Sequence, residues 1–243
     1  MSVIDWDDAY DNLGHVPNGL SYPPLWTERA SAYRLTARAV LDLSYGKNDR
    51  EVFDLFLPEG ASKGLAVFVH GGFWVKFDKS VFSHVAAGAV ARGWTVAVPS
   101  YPLAPNVRIS EITQAVARAV LAAAERVDGP IALAGHSAGG HLVSRLVCED
   151  NPLSEPVLAR ISRCMSISGL HTLAPLMNLT LNESFRMDAS EADAESATLH
   201  RPVAGVHVED WIGDDERTEF ITNSEALEEA WPGQARQTRV GTI

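Results

Sequence analysis

The sequence predicts an α/β fold in which a mostly parallel sheet carries helices on both faces. Three short, wholly apolar runs are typical of strands that are covered on both sides: Leu65–Val69, Thr95–Pro99 and Ile131–Ala134. Segments with apolar residues at helical spacing alternate with these runs, as in repeated strand-helix units. Polar or glycine-rich turns follow the strands. Because ligands bind beyond the carboxyl ends of parallel strands, these turns are where we look for function.

Length and composition favour one domain and exclude several kinds of partner. A chain of 243 residues that is 46% hydrophobic is long enough for one sizeable core, so we predict a single domain over residues 1–243. Its formal net charge of -11 argues against nucleic acid or an anionic membrane as a partner. We find neither a basic, apolar leader nor an apolar run of membrane-spanning length, which predicts a cytoplasmic protein. The pattern leaves the oligomeric state open.

The two cysteines, Cys148 and Cys164, do not have metal-ligand spacing. We expect both to pack as small, reduced apolar residues. The sequence therefore predicts neither a metal site nor a cofactor.

The first half of the chain supplies the predicted arm, four strands and two helices. Residues 1–24 mix polar residues, glycine, proline and scattered aromatics without periodicity, so we predict an irregular arm over the domain. Ser110 has the residue type of an N-cap. Before the strand at 131–134, the predicted elements are strands at 38–43, 51–57, 65–69 and 95–99, and helices at 80–92 and 110–123.

The second half continues the alternation after one interruption. Residues 171–202 are rich in Asn, Ser, Asp and Glu and break the strand-helix rhythm, so we predict a small cap insertion there. The other predicted elements are strands at 164–168, 203–212 and 236–243, and a helix at 220–231.

The stretch Gly135-His136-Ser137-Ala138-Gly139 is the centre of the functional prediction. It fits G-x-S-x-G between an apolar strand and a helical pattern, so Ser137 is expected on a tight, strained turn with its hydroxyl exposed above the sheet. The amide of Ala138 begins the helix and can donate toward an oxyanion. A second motif, His70-Gly71-Gly72-Phe73-Trp74, follows an earlier strand. Its glycines allow backbone amides to approach a substrate closely.

With these motifs the chain resembles the α/β-hydrolase superfamily, and within it the branch of kynurenine formamidases (arylformamidases) and small esterases. The resemblance also covers Ser168-Gly169-Leu170 and Gly213-Asp214-Asp215-Glu216 with Phe220. It implies Ser137 as nucleophile, Asp215 as the acid of a catalytic triad, and the amides of Gly72, Phe73 and Ala138 as an oxyanion hole.

Asp215 stands two residues beyond the glycine that ends the strand, as the acid does in this pattern. Asp214 and Glu216 are its nearest competitors, and Asp210 is a weaker one. Trp74 and Tyr101 are candidates to line a substrate pocket, where their rings could stack on an aryl group. For Trp74, ordinary packing is an equal alternative.

The resemblance also implies a histidine base after the last strand, and here the sequence departs from the pattern. His207 is the last histidine of the 243 residues. We expect the base in residues beyond this sequence, and treat His171, His200 and His207 as remote substitutes. His70, His136 and His141 lie beside the motifs and are expected to be structural.

These residues predict a cofactor-independent serine hydrolase. Its expected substrates are small, in part aromatic, acyl compounds: formamides, short esters or thioesters. Two alternatives remain open, a binding protein on the same fold without turnover and a transferase that passes the acyl group to a nucleophile other than water. A peptidase is less expected, since we find no propeller or large substrate domain.

Overall fold

A computed structural model describes residues 4–241, which form one eight-stranded sheet with helices on both faces. The strands run in the order β1-β2-β4-β3-β5-β6-β7-β8. Only the pairs β1–β2 and β2–β4 are antiparallel, so the predicted mostly parallel α/β architecture is confirmed. The strands are β1 Ala39–Ser44, β2 Val52–Phe56, β3 Leu65–Val69, β4 Thr95–Pro99, β5 Ile131–His136, β6 Ile161–Ile167, β7 His207–Gly213 and β8 Ala235–Val240.

Eleven α-helices and four short 3-10 helices connect and cover these strands within residues 4–241. The α-helices are α1 Trp6–Ala9, α2 Asn12–His15, α3 Tyr22–Thr36, α4 Lys79–Phe82, α5 Ala87–Ala91, α6 Ile109–Ala124, α7 Ala138–Arg145, α8 Glu155–Leu158, α9 Asn182–Phe185, α10 Ala189–Glu195 and α11 Thr218–Ala230. The 3-10 helices are Gly19–Ser21, Ser83–Ala86, Ala174–Asn178 and Ala197–Leu199.

Burial on both faces explains why the central strands are apolar throughout. In β4, Ala97 joins the main core with α6 and α7, whereas Val96 and Val98 join a second cluster on the opposite face. There Phe56 of β2 meets Tyr33 of α3, with ring centroids 5.3 Å apart. Alternate residues of one strand therefore contribute to two cores. This arrangement holds the carboxyl ends of β3, β5, β6 and β7 together at one edge.

The N-terminal arm was predicted to be irregular, and this prediction is wrong: the arm contains two short helices, α1 and α2. Asp5 and Asp11 cap α1 and α2, because their carboxylates accept from the amides of Asp8 and Gly14. Each of these helices is a single turn, too short to show a hydrophobic period. The segment then enters α3, whose first turn tolerates Pro23 because proline lacks only an amide that would have no partner there. Residues 1–3 of the predicted arm lie outside the described residues.

Several predicted boundaries also differ from the structure. Strand β6 begins three residues before the predicted Cys164, and β7 begins at His207 rather than at residue 203. The N-cap of α6 is Arg108, not Ser110. The Ser110 amide and hydroxyl instead bind the Glu191 carboxylate. Positions 242 and 243 of the last predicted strand lie outside the described residues.

The segment predicted as a cap, residues 171–202, folds into short helices that pack on α6 and α7. Glu191 accepts a hydrogen bond from Arg108 at 2.8 Å, and Glu195 accepts one from the Thr113 hydroxyl at 2.6 Å. The Glu195 carbonyl accepts from His141 Nε2 at 2.9 Å. These contacts fix the segment on the side of α6 and α7.

Cys148 and Cys164 are buried free thiols. Burial raises the pKa of Cys148 to about 12 and also raises that of Cys164. Both thiols therefore stay protonated at neutral pH. Among residues 4–241, no helix is long and apolar enough to cross a membrane.

Candidate active site

Ser137 occupies a strained turn between β5 and α7, which we call the elbow. Its backbone has φ 55° and ψ -121°, a region that residues with a Cβ rarely adopt. The Ser137 amide donates to the Ile167 carbonyl at 2.8 Å, which fixes the turn against the end of β6. The side chain is 9% exposed and borders the large cavity described below. The hydroxyl is thus held at the carboxyl edge of the sheet and is accessible from that cavity.

The glycines of the G-x-S-x-G motif permit two close backbone approaches. A Cβ on Gly139 would lie 2.0 Å from the Val69 carbonyl oxygen of β3. A Cβ on Gly135 would lie 2.1 Å from the Gly139 carbonyl oxygen. Any larger residue would push α7 away from the sheet, so the glycines allow the turn that presents Ser137.

The loop after β3 lies directly against this turn. A Cβ on Gly71 would be 3.0 Å from the Cβ of Ser137. Three successive residues have positive φ values, Gly72 at 116°, Phe73 at 48° and Trp74 at 57°. Within residues 4–241, the amides of Gly72, Phe73 and Ala138 donate no hydrogen bond.

The four candidate acids, in β7 and in the loop between β7 and α11, have different surroundings. Asp210 lies inside β7, is 1% exposed and is 3.4 Å from His171 Nε2. Asp214 and Asp215 are exposed and border the same cavity as Ser137. The Glu216 carboxylate borders it too, but accepts hydrogen bonds from Ser168 and the Gly213 amide, at 2.6 and 2.8 Å. Burial in the sheet separates Asp210 from the other three.

One cavity of about 1140 Å³ connects these features. Its floor contains Ser137, the Gly71–Phe73 loop and residues 213–216. Much of its wall is the N-terminal segment 10–16, followed by residues 18–21. The wall is largely apolar, and includes Leu13, Val16, Leu20, Trp26, Phe77 and Phe220. The cavity can accept an apolar or aromatic group beside the serine.

The two aromatics expected to line the substrate pocket lie elsewhere. Trp74 and Tyr101 are both fully buried, and neither is among the residues that line the cavity. The Trp74 ring packs edge-on against His141 and Phe185, whereas the Tyr101 hydroxyl donates to the His70 carbonyl at 2.8 Å. Both side chains support the loop after β3 from below. Phe73 does border the cavity.

Within residues 4–241, no histidine lies within hydrogen-bonding distance of the Ser137 hydroxyl. His171 contacts Ser166 beneath the elbow, at 3.1 Å, and His207 is at the opposite end of β7 from the cavity. His200 is 3.4 Å from the Asp150 carboxylate.

Of the three histidines in or next to the motifs, His70 and His141 are fully buried, whereas His136 is half-buried and borders the cavity. His70 stacks on the Tyr101 ring, with centroids 4.3 Å apart. Burial lowers the pKa of His70 and of His136 to about 4, and that of His141 to about 3. All three are therefore neutral at pH 7.

Sequence reasoning did not identify the residues of the arm as part of the cavity. Of the scattered aromatics in this arm, Tyr10 borders the cavity, whereas Trp6 and Tyr22 do not. Asn12 is 204 residues away from Glu216 of the acid loop in sequence, so no local pattern joins the two segments. The N-cap residues Asp5 and Asp11 are the one sequence signal that could have predicted α1 and α2. Within residues 4–241, no group of three or more His, Cys, Asp and Glu could hold a metal ion.

The fold and this site are those of an α/β hydrolase, and comparison with known proteins agrees. The sequence profile of the alpha/beta hydrolase fold family matches residues 66–232, so the chain belongs to that family. Its similarity to individual members of the family extends to kynurenine formamidases and to esterases. A solved structure of a candidate thioesterase from Silicibacter sp. TM1040 is 48% identical and superimposes with a TM-score of 0.95. That match covers 99% of this chain and 92% of the other.

Among curated proteins, kynurenine formamidase from Danio rerio is 28% identical over 165 residues, which cover 66% of this chain and 55% of the relative. The Drosophila melanogaster kynurenine formamidase is also 28% identical, over 64% of this chain and 54% of its own. The chain thus spans about half the length of the curated relatives it matches. Esterase B from Lactobacillus rhamnosis has the same fold at 16% identity, with a TM-score of 0.69 over 98% of this chain and 84% of the other.

Proposed function

We propose that the protein is a serine hydrolase that cleaves small esters, thioesters or formamides through an acyl-enzyme on Ser137. One observation carries the proposal: Ser137, on a strained turn, opens into a cavity that is also lined by two exposed carboxylates and by Gly72 and Phe73, whose amides have no acceptor within residues 4–241. The Ala138 amide, next to the serine, donates no hydrogen bond there either. A nucleophile, an oxyanion site and an acid are the parts that acyl transfer requires.

In the proposed reaction the Ser137 oxygen attacks the substrate carbonyl and its proton passes to a histidine base. The amides of Gly72, Phe73 and Ala138 donate to the oxyanion of the tetrahedral intermediate. The carbon-heteroatom bond then breaks, and the base returns the proton to the leaving group. Water attacks the acyl-serine by the same route and releases the acid. Asp215 orients the base and stabilises its charged form.

The proposed base is a histidine that follows β8, as in the family order. The end of β8 lies beside the acid loop, because the Asp214 amide donates to the Val240 carbonyl at 3.0 Å. Val240 and Gly241 both border the cavity. A residue a few positions later would therefore be near Asp214 and Asp215, which supports this assignment.

The apolar wall supports acyl or leaving groups with an aromatic or short aliphatic body. The names of the relatives, kynurenine formamidases, an esterase and a candidate thioesterase, fall within this substrate range. The proposal involves no cofactor, metal, nucleic acid or membrane.

The first test is labelling of the full-length natural protein with a serine-directed fluorophosphonate, with turnover of p-nitrophenyl acetate and N-formylkynurenine on the same sample. We expect both labelling and turnover, and their loss in Ser137→Ala with the fold retained. Intact mass would show whether the natural chain exceeds 243 residues. A folded protein that neither labels nor turns over would refute the hydrolase and favour a binding protein. Acyl transfer would appear as an ester product in place of the free acid.

The acid is tested by Asp215→Asn with Asp214→Asn as its matched control. We expect the Asp215 change to lower kcat on the order of 10⁴-fold, since an amide cannot hold the base in the productive tautomer. The Asp214 change should have a much smaller effect. A reversed order would reassign the acid to Asp214.

A further inference from the structure

The carboxylate of Glu216 is a junction between three parts of the fold. Its Oε1 accepts from the Ser168 hydroxyl at the end of β6, at 2.6 Å, and from the Gly213 amide at the end of β7, at 2.8 Å. Its Oε2 accepts from the Asn12 amide nitrogen Nδ2, at 2.6 Å. All three distances are short, as is common for hydrogen bonds to a carboxylate. The residue next to Asp215 is thus fixed to the sheet and to the N-terminal arm.

Asn12 uses both ends of its side-chain amide in this contact. While Nδ2 donates to Glu216, Oδ1 accepts from the Arg217 backbone amide at 2.8 Å. The Arg217 guanidinium in turn donates to the Asp8 carbonyl at 3.1 Å and forms an ion pair with the Asp8 carboxylate. Two neighbouring residues of the acid loop are therefore bound by two residues of the arm.

The same arm forms a wall of the cavity above Ser137. Leu13, beside Asn12, and Val16 both border the cavity. Helices α1 and α2 have four residues each, and helices this short do not persist in water without tertiary contacts. Contacts to the body of the protein, including Asn12 and the packing of Tyr10 on Phe220 with centroids 5.7 Å apart, must therefore hold the arm in place.

We infer that Asn12 and Glu216 are a pair of positioning residues that couples the placement of the N-terminal arm over the substrate to the placement of Asp215 in the acid loop. The inference rests on the proposed function. Neither residue takes part in proton transfer. When the pair is intact, the cavity wall and the acid are both in place.

The coupling predicts a defect in kcat rather than in binding alone. Small displacements of catalytic groups reduce rates by about 100-fold per ångström. We expect Asn12→Asp and Glu216→Gln each to lower kcat by about 10- to 100-fold. In Asn12→Asp, two carboxylates face each other across the former 2.6 Å hydrogen bond. In Glu216→Gln, two amide NH₂ groups face each other there, so neither variant can form the bond. Displacement of Asp215 also lowers the pKa of the base, so the acidic limb of the pH-kcat profile should shift to lower pH.

The decisive variant is the swapped pair Asn12→Asp with Glu216→Gln. The introduced glutamine donates to the introduced carboxylate, while its oxygen still accepts from Ser168 and Gly213. The other carboxylate oxygen still accepts from Arg217. We expect kcat and the pH profile to recover to within about fivefold of the wild type, whereas independent effects would multiply.

The experiment measures p-nitrophenyl acetate turnover against pH in the full-length protein, with circular dichroism as a check of folding. Asn106→Ala, an exposed asparagine outside the cavity lining, is the matched control and should be unchanged. Single variants with wild-type kcat and pH profile, in an active protein, would overturn the inference alone. A folded swapped variant no better than the worse single variant would do the same. If a single variant unfolds, the swapped variant decides. An inactive, unlabelled wild type would instead overturn the proposed function and this inference with it.

Discussion

The strain at Ser137 can be measured by comparing glycine with alanine at that position. Both Ser137→Gly and Ser137→Ala remove the hydroxyl, but only alanine keeps a Cβ at φ 55° and ψ -121°. A residue held in such a region costs on the order of 1–3 kcal/mol. Glycine should relieve this strain. It also loses the buried Cβ, worth about 0.8 kcal/mol, and adds backbone entropy to the unfolded chain, worth about 0.5–1 kcal/mol.

Ser144 provides a control in which the last two costs are present and the strain is absent. It lies in α7 with regular helical geometry, is fully buried, and its hydroxyl has no hydrogen-bond partner within residues 4–241. At Ser144, the glycine variant should have a free energy of unfolding about 1–2 kcal/mol lower than that of the alanine variant. At Ser137, the stability of the glycine variant relative to the alanine variant should be higher than at Ser144 by about 1–3 kcal/mol. This difference is the strain energy itself.

Urea unfolding of the four variants at pH 7 measures this difference, provided that the slopes of the transitions agree. The expected result is that the glycine variant falls below the alanine variant at Ser144, and that at Ser137 this difference shifts toward glycine by about 1–3 kcal/mol. Equal costs at the two positions, within about 0.5 kcal/mol, would refute the idea that the elbow stores strain. The test is independent of activity, because both changes at Ser137 remove the proposed nucleophile.

Three further predictions concern the framework around the site. Gly139→Ala should lower the free energy of unfolding by about 3 kcal/mol or more, because its Cβ would lie 2.0 Å from the backbone of β3. Gly88→Ala is the control and should not destabilise the protein, because its Cβ would meet only the end of an arginine side chain at 3.7 Å. His141, with its pKa lowered to about 3, binds fewer protons when folded than when unfolded, so stability should fall as the pH drops from about 6.5 toward 3. His141→Gln should reduce that slope by up to about 1.4 kcal/mol per pH unit in urea titrations, and an unchanged slope would contradict the assignment. Lys79→Met should cost about 3–5 kcal/mol in thermal or urea unfolding, because Lys79 Nζ lies 2.7 Å from the fully buried Asp54 carboxylate; a loss below about 1 kcal/mol would contradict this.

Local patterns determined most of the sheet and the elbow. The bounds of β3 and β4 agree with the apolar runs, because a strand buried on both faces has a signal within its own five residues. The G-x-S-x-G stretch is equally local, since the close contacts that require its glycines are made by the turn itself and the adjacent strand. For the same reason the resemblance of these motifs was enough to predict the family.

The surroundings of the serine were decided by contacts between distant parts of the chain. Asn12 and Glu216 are 204 residues apart, and their hydrogen bond has no trace in either local sequence. Trp74 and Tyr101 have the composition of pocket residues, yet packing against His141, Phe185 and the His70 backbone buries them beneath the loop. The helices of the arm are too short for a hydrophobic period, so side-chain caps and tertiary contacts determine them. The sequence by itself thus determined which motifs lie at the edge of the sheet, and only the tertiary structure decided which segment covers them, because a cavity wall depends on which distant surfaces pack together.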